Sequence, residues 1–200
     1  MLAKDRCLKK QIDLRIFLVF VLVVFFSTNL IGSQINDKIS KYLKNMNSFS
    51  SKFIQSSGSS IEEGYIYIED DKIRIDYFNP SRTIKVNSVK GVYINHELRE
   101  EEFFSIDKNV IGVFYNIFLD NSFFASLKLK ENKKQIVFEK NIIVDSKKTN
   151  LKIYFENNPL LLRKIITERE EEFISFSLNE HNYNEVFEKD FFSFVPIYLD

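Results

Sequence analysis

Two histidines, one cysteine and two acidic runs hold most of the reactive potential of this 200-residue chain, and none is arranged for catalysis. His96 lies in NHELRE and His181 in NEHNYN. A zinc helix needs a second histidine one turn after His-Glu, and HELRE lacks it. Both surroundings are polar and turn-like, so both rings are expected in exposed loops. Cys7 has no partner for an internal disulfide, and it precedes the apolar run that a lipidated cysteine would follow. Glu100–Glu102 and the run EREEE from Glu168 to Glu172 supply carboxylates. A catalytic acid pair needs a cleft that pushes two pKa values apart, whereas adjacent acids are expected on solvated faces, where they keep edge strands from pairing with a neighbour. No serine sits in a glycine-flanked elbow and no glycine-rich loop follows a strand to cradle phosphate. With 28 basic and 28 acidic residues there is no excess positive charge for nucleic acid. The expectation is a protein without catalytic, metal or cofactor chemistry.

The elements that would position any site are mostly strands. The chain has room for one sizeable domain. Its beginning is basic, followed by the unbroken apolar run Ile16 to Phe26 and the small residues Gly32 and Ser33. This describes a signal peptide over 1–33, with an uncleaved anchor reaching Ile31 as the alternative. Five basic and two acidic residues lie in 1–33, so a body over 34–200 has 23 and 26, a net charge near −3. Ile35, Ile39, Leu43 and Met46 predict one apolar stripe on a helix over 34–46. From Ser48 the period becomes two. Ile73, Ile75 and Tyr77 share one face of KIRIDY, and Ile84 and Val86 share one face of TIKVN. The alternation continues through QIVFEKNIIV, NLKIYFE, LLRKII, EEFISFSL and EKDFFSF, with Pro80, Gly91, Asn132, Asn141, Asn157–Pro159 and Asn179 as turn residues. The pattern predicts one long antiparallel meander. It is interrupted at 106–124, where Val110, Phe114, Ile117 and Phe118 fit a helical face and Ile111, Val113 and Leu119 make other flanks apolar as well. Such a helix is either buried against the sheet or a lid over an apolar concavity.

Several short motifs add a resemblance. Phe53 and Gln55 stand in KFIQ, Gly64 opens GYIYIE, Lys72–Ile73–Arg74 begin a strand, Pro80 follows it, and Phe192, Phe194 and Pro196 close the chain. In this order the chain resembles the periplasmic outer-membrane lipoprotein carriers, the LolA family of Gram-negative bacteria, over most of 34–200. The resemblance implies a mainly β fold, a half-open antiparallel barrel closed by lid helices. It implies a monomeric periplasmic chaperone that takes lipoprotein acyl chains from an inner-membrane ATP-binding-cassette complex and hands them to an outer-membrane receptor. Ile73, Ile75, Tyr77, Ile84 and Val86 would line the cavity, and Val110, Phe114, Ile117 and Phe118 would form its lid. Glu69–Asp70 stands where the family carries the arginine–proline pair associated with handover, and Val89–Lys90–Gly91 replaces an aspartate–glycine turn. A membrane-anchored or periplasmic lipid-binding module serving another envelope transport system is the alternative. An exported hydrolase lacks its nucleophile.

Overall fold

The structure, a computed structural model, describes residues 34–198 with 59, 107, 108, 121, 133 and 171 excepted. The segment 1–33 lies outside the described residues. The chain divides between Ile39 and Ser40 into two compact units, the second of which carries the sheet. Helix α1 covers 34–44 and so ends two residues before the expected limit. Its stripe residue Leu43 is buried, as is Met46 in the turn that follows, while Ile35 and Ile39 belong to the first unit.

Eleven strands follow. They are β1 (Ser48–Ser57), β2 (Ser60–Glu69), β3 (Lys72–Tyr77), β4 (Arg82–Val86), β5 (Lys90–Asn95) and β6 (Glu100–Ser105), then β7 (Lys128–Glu131), β8 (Gln135–Val144), β9 (Lys147–Asn157), β10 (Leu160–Arg169) and β11 (Glu172–Tyr183). Helix α2 (Val110–Leu119) and a 3₁₀ turn (Phe123–Ser126) lie between β6 and β7. All strands form one antiparallel sheet in the order β6-β5-β4-β3-β2-β1-β11-β10-β9-β8-β7. The chain therefore makes two meanders joined by the β1–β11 pair, not the single meander expected. β6 and β7 are its edges, so the sheet does not close. The mainly β, open antiparallel architecture agrees with the expectation.

β-Branched and aromatic residues at every second position form these strands because they pack well on a pleated, half-buried surface. Register puts Ile68, Ile73 and Val86 in one row across β2, β3 and β4, and Ile66, Ile75 and Ile84 in the next. Across the other meander Phe176, Ile165, Ile153 and Phe138 make a matching row. These rows share one side, the inner face, and all of them are buried. In β2, Gly64 has a packing reason. A Cβ there would meet the Asp76 carbonyl oxygen at 1.9 Å and the Phe53 ring at 2.8 Å.

Three expected turn residues lie inside strands instead: Gly91 in β5, Asn141 in β8 and Asn179 in β11. Gly91 is needed because the Phe104 ring on the paired strand would stand 2.3 Å from any Cβ. EKDFFSF is not a strand. Residues 184–198 form an irregular strap over the outer face, crossing β1 to β6 in order. Ser50 Oγ donates to the Glu185 carboxylate at 2.6 Å, Phe187 and Phe191 pack edge-on against Tyr67, and Arg74 Nη1 donates to the Phe191 carbonyl at 2.9 Å. Lys85 Nζ then donates to the Ser193 carbonyl at 2.8 Å, and the Glu101 carboxylate accepts from the amides of Ile197 and Tyr198 at 2.6 and 3.0 Å.

Candidate functional site

The inner face and its cover form the most distinctive site. α2 has a ten-residue span, a length at which an isolated helix is marginal in water. Its first turn carries no acid and its last no base, so side-chain charge does nothing to stabilise its ends. Asn109 caps it by accepting from the Gly112 amide at 2.9 Å. Packing holds the rest. Phe114 stands edge-on to Phe176 at 4.9 Å between centroids, and Ile117 and Phe118 are buried beside it. Burying each such side chain is worth roughly 1.5–3 kcal/mol. The 3₁₀ turn adds Phe124, which packs edge-on against Phe138 and Phe155 at 5.0 and 5.7 Å. On the flank of α2, Tyr115 lies near Ser88 and Asp71, and burial and then the Asp71 charge push the pKa of its phenol up.

The expected cavity residues are thus brought together. Ile73, Ile75, Tyr77, Ile84 and Val86 are all buried on the inner face, and Phe114, Ile117 and Phe118 belong to its cover. Val110 is half-buried at the start of α2, where it borders a small cavity of about 30 Å³ with Val144, Thr149, Thr167 and Ile174. Beside α2 runs an open crevice of about 280 Å³, lined by polar Asn109 and Asn116 as well as by Val113, Phe123, Ile142 and Ile143. Of the flank residues Ile111, Val113 and Leu119, Val113 borders this crevice and the other two do not line it.

One border of the dry face is polar. Tyr77 donates its hydroxyl to Gln55 Oε1 at 2.9 Å, Gln55 donates to Glu62 at 3.2 Å, and Arg82 donates to Glu62 at 2.7 Å. The Arg82 guanidinium also lies 3.9 Å over the Tyr77 ring. Burial raises the Tyr77 phenol against the pull of that cation. Hydrocarbon below and hydrogen-bonding groups at one margin is the division an amphiphile presents.

An uncharacterized conserved protein from Thermus thermophilus aligns with a TM-score of 0.51 at 6% identity, over 78% of this chain and 89% of that one. The MucA/MucB complex of Pseudomonas aeruginosa aligns at 0.46 and 12% identity over 76% of this chain and 59% of that one, so this chain spans under two thirds of that relative. A putative outer membrane lipoprotein-sorting protein domain from Vibrio parahaemolyticus aligns at 0.45 and 9% identity, over 78% and 95%. No protein family and no curated protein matches the sequence. The likeness is one of fold.

Glu69 and Asp70, the pair that the resemblance sets at the handover position, lie at the β2–β3 turn. Asp70 is an exposed turn residue with φ +52°, a conformation that a proline ring cannot take. Glu69 pairs with Lys72 across the same turn. Their neighbour Asp71 is the acid that acts on Tyr115. Neither histidine is an exposed loop ring. His96 is half-buried, with Nε2 bonded to Thr83 Oγ1 at 2.9 Å and Nδ1 to the Tyr198 hydroxyl at 3.0 Å. His181 lies within β11, its ring edge-on to Phe49 at 5.4 Å, and both ring nitrogens are buried without a hydrogen-bond partner. Burial and then the Arg163 charge push its pKa down to about 4. Sequence reasoning also passed over the polar border and the β8–β11 half of the inner face. Arg82 is in phase with Ile84, and Glu62 with Gly64, so the alternation already contained that signal.

Proposed function

We propose that this chain is a periplasmic carrier of acyl chains, which holds the lipid anchor of a lipoprotein against the inner face once α2 and the 3₁₀ turn move aside. The observation that carries this is α2 itself. Its Phe114, Ile117 and Phe118 fill the dry face, while its other flank borders an open crevice. Each acyl methylene taken from water is worth about 0.8 kcal/mol, so a chain can replace what those three side chains supply. The Gln55, Glu62 and Arg82 margin would meet the polar end of the anchor. The chain is assigned no bond-making step; transfer runs toward better apolar contact. Collection from an inner-membrane ATP-binding-cassette complex and delivery to an outer-membrane receptor follow from the resemblance to the lipoprotein carriers. The acidic turn at Glu69–Asp70 cannot serve as that family's arginine does, so release here uses other contacts.

Purification from the periplasm followed by mass spectrometry of bound material tests this. Triacylated lipoprotein is expected. Free phospholipid alone would make the chain a general lipid-binding module, and recovery of no lipid from a folded, soluble preparation would count against both.

A further inference from the structure

The antiparallel order sorts the hairpin turns into two ends. One end collects the β1–β2, β3–β4, β5–β6, β8–β9 and β10–β11 turns, and the other the β2–β3, β4–β5, β7–β8 and β9–β10 turns. Each of the five turns at the first end presents one large exposed apolar side chain in or beside it: Ile61, Phe78, Leu98, Ile143 and Phe173, from 45% to 77% exposed. Among the described residues of the four turns at the second end, only Val89 is comparable. The crevice beside α2 and the small cavity at Val110 both reach the first end, through Ile142, Ile143, Val144 and Ile174.

We propose that the first end is a membrane-docking rim, whose five apolar tips dip into a phospholipid bilayer while the crevice faces the same surface. The choice of a bilayer over a protein follows from spacing. Successive turns within a meander are two strands apart, about 10 Å, so the tips are isolated points with charged residues between them. A protein interface wants a contiguous apolar centre, whereas bilayer binding scales with the total apolar area buried, which separate tips can supply together. Charges of both signs lie between the tips, among them Glu97, Arg99, Asp145, Lys147 and Lys148. The contact is therefore apolar and indifferent to anionic lipid, and weak enough to be left. The docking stands on the tips; its use for collecting or releasing cargo rests on the carrier reading above.

The test uses the full chain with Cys7→Ser and single cysteines introduced as Ile61→Cys, Ile143→Cys, Phe173→Cys and, at the opposite end, Val89→Cys. Each carries a bimane label and is mixed with phosphatidylcholine vesicles containing a nitroxide-labelled chain. Quenching at each of the first three sites is expected to exceed that at position 89. It should be unchanged when phosphatidylglycerol is added. Equal or absent quenching at the two ends, or quenching only with phosphatidylglycerol, overturns the rim. Quenching at the tips by a protein that never retains a lipopeptide keeps the rim and removes the carrier. A retained lipopeptide without quenching at the tips does the reverse.

Discussion

The two faces of this sheet are covered in opposite ways. On the inner face, α2 lies on buried rings, with its hydrogen-bonded caps at its own ends. On the outer face, the 184–198 strap is pinned at its backbone by Arg74, Lys85 and Glu101. Apolar contact is non-directional and can be exchanged for a ligand of similar surface. Charge-assisted hydrogen bonds to carbonyls are directional and costly to leave unmade. Lys85 shows the second point: burial depresses its pKa, and the Ser193 carbonyl is the acceptor that answers it. On the proposed carrier reading, the first cover is the one a ligand replaces and the second stays.

The largest expected effect separates the covers directly. Phe192 in the strap and Phe118 in α2 are both buried. Phe192→Ala should cost about 3 kcal/mol in urea unfolding. Phe118→Ala should cost much less, because the loss cannot exceed the free energy that holds α2 down. Equal losses would break the comparison. Next in size, Arg74→Leu removes the donor to Phe191 and leaves Asp76 without its cation at 3.0 Å, which should cost about 1.5–3 kcal/mol in the same assay. Lipopeptide affinity should not change.

His181 serves as a control, since it sits in the sheet under neither assigned tie. Its pKa falls from 6.5 to about 4 on folding, so the unfolded chain takes up the proton first as pH drops. Stability should be full above pH 6.5 and decline steadily toward pH 4, and His181→Phe should flatten that part of the curve. A variant melting curve with the same slope would remove this role. The smallest effect is expected from Tyr115→Phe, which deletes the hydroxyl that lies near Ser88 and Asp71. It should cost under about 1 kcal/mol yet speed the uptake of a fluorescent acyl probe. An unchanged uptake rate would leave α2 without a latch.

Much of the inner face was legible because strand alternation is local. Ile73, Ile75, Tyr77, Ile84 and Val86 needed only a period of two to be placed together. The oily flanks of 106–124 were equally readable. The strap was not, because Phe192 and Phe194 alternate as strand residues do, and no local pattern tells an added strand from an extended segment lying across a face. His181 was misplaced for a different reason. A bulge opposite Ser51, with Glu180 at φ +52°, shifts the parity of β11 and turns His181 inward beside Phe49. The polar margin was only half legible: alternation puts Arg82 in phase with Ile84, but only register sets Arg82 and Glu62 opposite Tyr77 and Gln55.

The central claim is that the inner face accepts hydrocarbon in place of α2. The most direct measurement is native mass spectrometry of the purified protein titrated with a triacylated lipopeptide and, separately, with the same peptide lacking its acyl chains. A one-to-one complex with the acylated peptide alone is the expected result. No complex with either peptide, or equal binding of both, would contradict that claim.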